Sequence, residues 1–168
     1  MNWFFLTVGY SGLFPKAPGT MGTIASLPLG IAILLYFGPQ TLFLATILIT
    51  LIAIKSINKH ESTSNEHDDS RIVIDELVGM WFALSIAPGI GFDMATLMHW
   101  ENGISLQIAL SFIFFRIYDI KKPSIIGRID REAKGGLGVM GDDIIAGFAA
   151  GISSAFIWQV ILKSGLIG

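Results

Sequence analysis

The sequence contains no cysteine, which excludes disulfides, thiolate metal sites and a cysteine nucleophile. Charge is scarce as well. Asp, Glu, Lys and Arg make up only 14% of the residues against 52% hydrophobic, and mean hydropathy is +0.66. These values lie outside the usual range for a water-soluble globule. Between Ala17 and Ile54 there is no charge at all. The first basic residue, Lys16, follows the apolar start instead of preceding it, so no signal peptide is expected. At 168 residues a single domain, 1–168, is the default.

What is present is mostly apolar segments separated by punctuation. Met1–Val8 is apolar but too short to span a bilayer, and suits an interfacial or re-entrant position. Gly9–Gly22, with its prolines and glycines, reads as a loop. Gly38-Pro39 divides the uncharged stretch into about Thr23–Phe37 and Thr41–Ile54, a helical hairpin. Lys55–Arg71 reads as a polar loop. Further apolar helices are expected over about Ile72–Ala87, Ile104–Tyr118 and Ile144–Leu162. The expected fold is all-α: a polytopic membrane bundle of about five spanning or partly spanning helices plus the short N-terminal segment. Several segments are short for a ~20-residue span and would need tilt or local thinning.

Charge is concentrated in Phe115–Gly147, FRIYDIKKPSIIGRIDREAKGGLGVMGDDIIAG. Carboxylates there (Asp119, Asp130, Glu132, Asp142, Asp143) alternate with Arg116, Lys121, Lys122, Arg128, Arg131 and Lys134. Hard carboxylate oxygens suit Mg2+ or Mn2+. Basic side chains and a glycine-rich backbone, Gly135-Gly136-Leu137-Gly138-Val139-Met140-Gly141, suit phosphate. Asp142-Asp143 stand where a helix N-cap is expected, and capping accounts for one acid, not two. A second acidic pair, Asp75-Glu76, opens an apolar helix. Compensation of a helix dipole is worth under ~1 kcal/mol, whereas acids within a spanning segment are costly and functional by default. Salt bridges to Arg116, Arg128 and Arg131 are the ordinary role for Asp119 and Asp130. Lys121 and Lys134 fit nonspecific contact with anionic lipid as well as substrate. His60, His67 and His99 read as solvated or distant, Thr20 and Thr23 as turn and N-cap hydroxyls. The tryptophans read as anchors or packing residues. DELVG (Asp75–Gly79) and DDIIAG (Asp142–Gly147) echo each other faintly, as chance would allow.

If all five segments cross, every Lys and Arg except Lys163 falls on one side, and the opposite loops hold none. The positive-inside rule puts that side in the cytoplasm. Asp75, Glu76, Asp119, Asp130, Asp142 and Asp143 then share one face. The charged stretch has no histidine for a phosphohistidine intermediate, and no DxDxT or DxDxV run marks an aspartyl-phosphate route. Attack by metal-activated water remains.

The blocks GLFPKAPGTMGT, DELVG and FRIYDIKKPSIIGRIDREAKGGLGVMGDDIIAG resemble those of bacterial phosphatidylglycerophosphatase A, over most of the chain. The resemblance implies a Mg2+-dependent inner-membrane enzyme that removes the terminal phosphate of phosphatidylglycerophosphate. The phospholipid and the membrane are then its partners, and neither nucleic acid nor a protein partner is implied. It places family acids at Asp75, Glu76, Asp119, Asp130, Asp142 and Asp143, and family bases at Arg116, Lys122 and Arg131. Thr23, Tyr118 and Ser124 depart from the family pattern, which expects serine, phenylalanine and an aromatic there.

The site expected on both grounds holds Mg2+ on Asp75, Glu76, Asp142 and Asp143. Asp119 or Asp130 completes the shell or acts as base. Arg116, Lys122 and Arg131 bind phosphate, helped by backbone N–H groups at Gly135, Gly136 and Gly138. A phosphatidyltransferase would need one compact DGxxAR…GxxxDxxxD run, which is absent. A small cation or phosphate transporter using the same acids is the alternative from a different class.

Overall fold

The structure, a computed structural model, describes residues 3–64, 69–87, 103–123, 126–127 and 135–164. Among them the regular elements are helices: α1 (Trp3–Leu6), a 3-10 turn (Ser11–Leu13), α2 (Pro18–Ser64), α3 (Ile74–Ile86), α4 (Ile104–Lys121) and α5 (Gly135–Ser164). The expected break in α2 is present. Gly38 takes φ 83° and ψ 170°, a conformation open to glycine at little steric cost, and Pro39 withholds the N–H that would have bridged it.

The break reverses the chain. The first arm of α2 runs with α3: Gly22 abuts Val73, the Trp81 indole donates to the Ser26 carbonyl (2.9 Å), and Gly30 abuts Trp81 and Leu84. The second arm runs back, with Phe43 against Phe82 (5.5 Å) and Asn58 against Gly135. It does not stop at Ile54. Residues 55–64, expected in a polar loop, continue the helix, because Thr46, Thr50, Ala53, Ile57 and His60 stay buried along one stripe at the alternating four- and three-residue steps of a packed helix.

α5 runs parallel to α3, and α4 runs antiparallel to both. Gly103 meets Trp158 at one end of the α4–α5 pair, and Lys122 meets Asp142 at the other. The α3–α5 crossing is the closest. A Cβ on Gly147 would strike the Gly79 carbonyl, and one on Gly79 would meet the Phe115 ring and the Asp143 carbonyl. Small residues at such a crossing let two backbones touch. The resemblance between DELVG and DDIIAG therefore has a structural counterpart. Each run places an acid four residues before the glycine, on the same helix face, so Asp75 and Asp143 confront each other one turn below the contact.

Two helices are long and apolar enough to cross a membrane, Pro18–Ser64 and Gly135–Ser164. Only 17% and 28% of their apolar windows are buried, so their hydrophobic surface faces outward and not into a core; Tyr36, Phe37, Leu44 and Phe156 are all more than half exposed. Among the described residues two helices meet this criterion, and α2 holds two of the five expected segments. α3 has 13 residues, about 20 Å, and α4 carries Arg116, Asp119 and Lys121 in 18 residues. Of the tryptophans described, Trp81 and Trp158 are buried and Trp3 packs edge-on to His60, so they pack. Replacing Gly79 by valine should splay α3 from α5. We expect a loss of about 1–3 kcal/mol of stability, as for overpacked cores, read as a lower Tm in detergent, with activity falling further than Tm alone explains.

Candidate active site

The helices bring one end of each element to a common cavity of about 480 Å³. Its walls come from the start of α2 (Pro18, Gly19), the strut before α3 (Ser70, Ile72), and the first turn of α3 (Asp75, Glu76). The end of α4 adds Arg116, Asp119 and Lys122, and α5 adds Gly138, Val139, Asp142 and Asp143. Asp75 and Glu76 occupy the first turn of α3 as expected. Asp142 and Asp143 do not cap a helix. α5 already begins at Gly135, so both acids lie two turns inside it, 6% and 3% exposed.

Asp75, Glu76 and Asp143 can each place a carboxylate oxygen within 4.8 Å of the others. At that range each ionised pair repels by on the order of 3 kcal/mol at an effective dielectric of about 20, so a cation or a shared proton must offset it. The Oε2 of Glu76 is buried without a hydrogen-bond partner. An orphaned acceptor among three hard oxygens is what a small divalent cation would fill, and the residues therefore fit Mg2+. Gly19 closes one side, since a Cβ there would collide with Glu76 Oε1. Asp142 stands apart from the trio and accepts from Lys122 Nζ at 2.8 Å.

Arg116 faces these acids from α4. Its Nη1 pairs with Asp119 Oδ2 (2.6 Å) at i,i+3, with both side chains about 15% exposed or less. Nη1 and Nη2 also donate to Thr23 Oγ1 (3.4 Å) and Thr20 Oγ1 (3.2 Å). Its Nε is buried with no partner, a donor left over for an anion. The two threonines, read as turn and cap hydroxyls, thus orient the guanidinium. The PGTMGT spacing could have shown this: residues three apart on one helical face at the charged end.

The glycine run differs most from expectation. It is helix, not loop: the N–H groups of Val139, Met140 and Gly141 serve the helix, and the four before them, at its open end, do not. The Gly136 N–H is taken by Asn58 Oδ1 at 2.7 Å, and Gly136 lies against the Ile54 backbone. Gly135 has φ 67° beside Asn58. Gly138 alone of the three glycines lines the cavity. Asp130, Arg131, Arg128 and Lys134 lie outside the described residues, as do His67 and His99. His60 is not solvated: it is 4% exposed, with Nε2 3.3 Å from Asp69 Oδ2.

Asp69 fastens the strut that carries Ser70 and Ile72. Arg71 Nε and Nη2 grip its two oxygens at 2.8 and 2.7 Å, and this pairing holds its carboxyl down at about 2. A depressed carboxyl stabilises the fold above its unfolded value near 3.8 and loses that contribution as pH falls toward 2. Asp69→Asn should therefore lower Tm clearly at pH 7 and much less at pH 2, measured by thermal unfolding in detergent.

Fold and site together define a class. Among the described residues the chain is all-helical and apolar on its outside, and its acidic and basic groups at one end have the chemistry of a phosphate-ester hydrolase. The comparisons agree. The family model of phosphatidylglycerophosphatase A matches residues 4–158. A phosphatidylglycerophosphatase A of Escherichia coli (strain K12) is 36% identical over 153 residues, covering 89% of this chain and 80% of the relative. Its counterpart in Haemophilus influenzae is 33% identical over 146 residues, 86% and 82% of the two chains. A Bacteroides thetaiotaomicron protein, provisionally named a phosphatidylinositol-3-phosphatase, is 37% identical over 142 residues, 82% and 80%. No solved structure matches the chain. The chain belongs to the phosphatidylglycerophosphatase A family.

Proposed function

We propose that this protein is a Mg2+-dependent lipid phosphate monoesterase that converts phosphatidylglycerophosphate to phosphatidylglycerol and phosphate at the cytoplasmic face of a bacterial inner membrane, which it crosses more than once. The observation that carries the reading is the convergence of Asp75, Glu76 and Asp143 within 4.8 Å, opposite Arg116 and Lys122 in one cavity. The names of the relatives supply the substrate. Orientation rests on charge. Among the described residues every Lys and Arg except Lys163 lies toward the cavity end.

In this reading the trio Asp75, Glu76 and Asp143 holds Mg2+. When bound, the ion neutralises charge on the phosphoryl oxygens and promotes deprotonation of water. Arg116, held in place by Asp119, Thr20 and Thr23, receives the phosphate through its unsatisfied Nε side. Lys122, anchored to Asp142, supplies a second positive charge across the cavity. Water adds to phosphorus, the bond to the glycerol oxygen breaks, and that oxygen takes up a proton. Asp119, beside Asp143, is placed to accept the proton of water, and Asp130 is the other acid proposed for that role. The N–H groups at the start of α5, Gly138 foremost, are the remaining donors for the anion.

The transporter reading finds no support. The relatives are named as phosphatases, and the acids gather at one end of the helices instead of lining a path through them. Purified protein given phosphatidylglycerophosphate in detergent should release phosphate with Mg2+ and none after EDTA, and should leave soluble phosphomonoesters largely untouched. Failure to release phosphate with Mg2+ present would overturn the proposal.

A further inference from the structure

Residues 3–17 are tied down by hydrogen bonds, yet they turn large apolar side chains outward. Thr7, fully buried, organises the segment: its Oγ1 donates to the Trp3 carbonyl (2.6 Å) and accepts from the Tyr10 N–H (3.1 Å). Val8, Tyr10 and Ala17 hold left-handed φ values of 46°, 67° and 53°, a conformation unfavourable for a residue with a Cβ. The segment is also tied to the cavity wall. The Val73 N–H donates to the Leu6 carbonyl (3.0 Å), Gly12 packs against the Arg71 carbonyl, and the chain runs directly into Pro18 and Gly19. From this fixed base Phe4, Tyr10, Leu13 and Phe14 project with 51–61% of their surface exposed.

What covers them follows from three features. The apolar surface continues onto α2 at Ile24 (45%) and Leu29 (57%), the helix whose outward face suits hydrocarbon. Exposed Lys16 adjoins it, and the segment itself carries no acidic residue, so its own charge is positive, as an anionic surface requires. The segment also leads directly into Pro18 and Gly19, which line the cavity. Aromatic side chains beside a basic one are the composition of a headgroup-level anchor.

We propose that residues 3–17 form an interfacial wedge, with Leu13 and Phe14 seated at the headgroup–acyl boundary of an anionic phospholipid bilayer beside the cavity. The wedge sets the depth of Asp75 and Glu76 through the Leu6–Val73 bond, and guides a lipid phosphate from the bilayer past Pro18 and Gly19. The guiding role rests on the lipid-phosphatase reading; the seating does not.

The absence of cysteine makes the test clean. Leu13→Cys, Phe14→Cys and, as an aqueous reference, Ser62→Cys each receive one fluorophore in the full-length protein. The labelled proteins are placed in vesicles of phosphatidylglycerol and phosphatidylethanolamine. Labels at Leu13 and Phe14 should be quenched by lipid-borne nitroxide near the glycerol level and shielded from aqueous iodide, with the Ser62 label behaving oppositely. Equal access of iodide to all three overturns the seating. So does shielding that vanishes when the protein is diluted in lipid, which would mean that a second copy covers the patch. The unlabelled double variant Leu13→Ser, Phe14→Ser should use long-chain phosphatidylglycerophosphate about tenfold less efficiently, which is about 1.4 kcal/mol. Its use of a short-chain, monomeric analogue should be unchanged. An equal fall on both substrates makes the segment merely structural and overturns the guiding role. If the unmodified protein hydrolyses neither lipid, the phosphatase reading fails while the quenching result stands on its own.

Discussion

Asp75→Asn and Asp143→Asn should each abolish turnover of phosphatidylglycerophosphate while leaving the protein folded. The two acids come from different helices and meet only because α3 and α5 touch at Gly79 and Gly147. Removing one formal charge takes away a hard ligand and several kcal/mol of charge stabilisation. That corresponds to a fall in kcat of about 10³-fold or more, at 1.36 kcal/mol per factor of ten. Stability should move the other way. Each carboxylate in the trio repels the other two, so the asparagine variants should match or exceed the parent Tm in metal-free buffer and gain less from added Mg2+. A variant that loses activity together with Tm would point to misfolding. A variant that keeps near-normal activity would remove its residue from the mechanism.

Arg116→Lys should lower kcat/KM by about 10²-fold, the scale set by loss of one preorganised charged donor. The charge survives in lysine, but the fork does not. Asp119 and Thr23 share Nη1 while Thr20 holds Nη2, and an ammonium group cannot satisfy all three while turning a donor to the cavity. Thr20→Val should reproduce part of the defect without touching substrate. It should appear chiefly in KM if the guanidinium binds ground state and transition state alike.

Part of the candidate site is legible in the sequence. Asp75-Glu76 at the head of an apolar helix and the crowded charges of 115–147 point to the acids Asp75, Glu76, Asp119, Asp142 and Asp143 that line the cavity. Alternation of apolar segments sent them to one end. The hairpin break at Gly38-Pro39 was legible because glycine and proline act locally. Tertiary packing overrode local propensity in the glycine run. Gly135–Gly141 has a loop's composition, yet Gly136 must lie on the Ile54 backbone, where a Cβ would clash, and helix geometry permits that approach. Residues 55–64 were misread for the opposite reason. Their polar surface hides the Ile57 and His60 positions that extend the buried stripe. Asp142 adjoins Asp143, but neighbours on a helix point about 100° apart, and its carboxylate accepts from Lys122.

The central claim is a shared ion, and Mn2+ serves as a paramagnetic substitute for Mg2+ in detergent-solubilised protein. Titration followed by electron paramagnetic resonance should show tight binding in the parent chain. That binding should be lost in Asp75→Asn and in Asp143→Asn, and largely kept in Asp142→Asn. Tight Mn2+ binding that survives both Asp75→Asn and Asp143→Asn would show that α3 and α5 do not hold the ion between them.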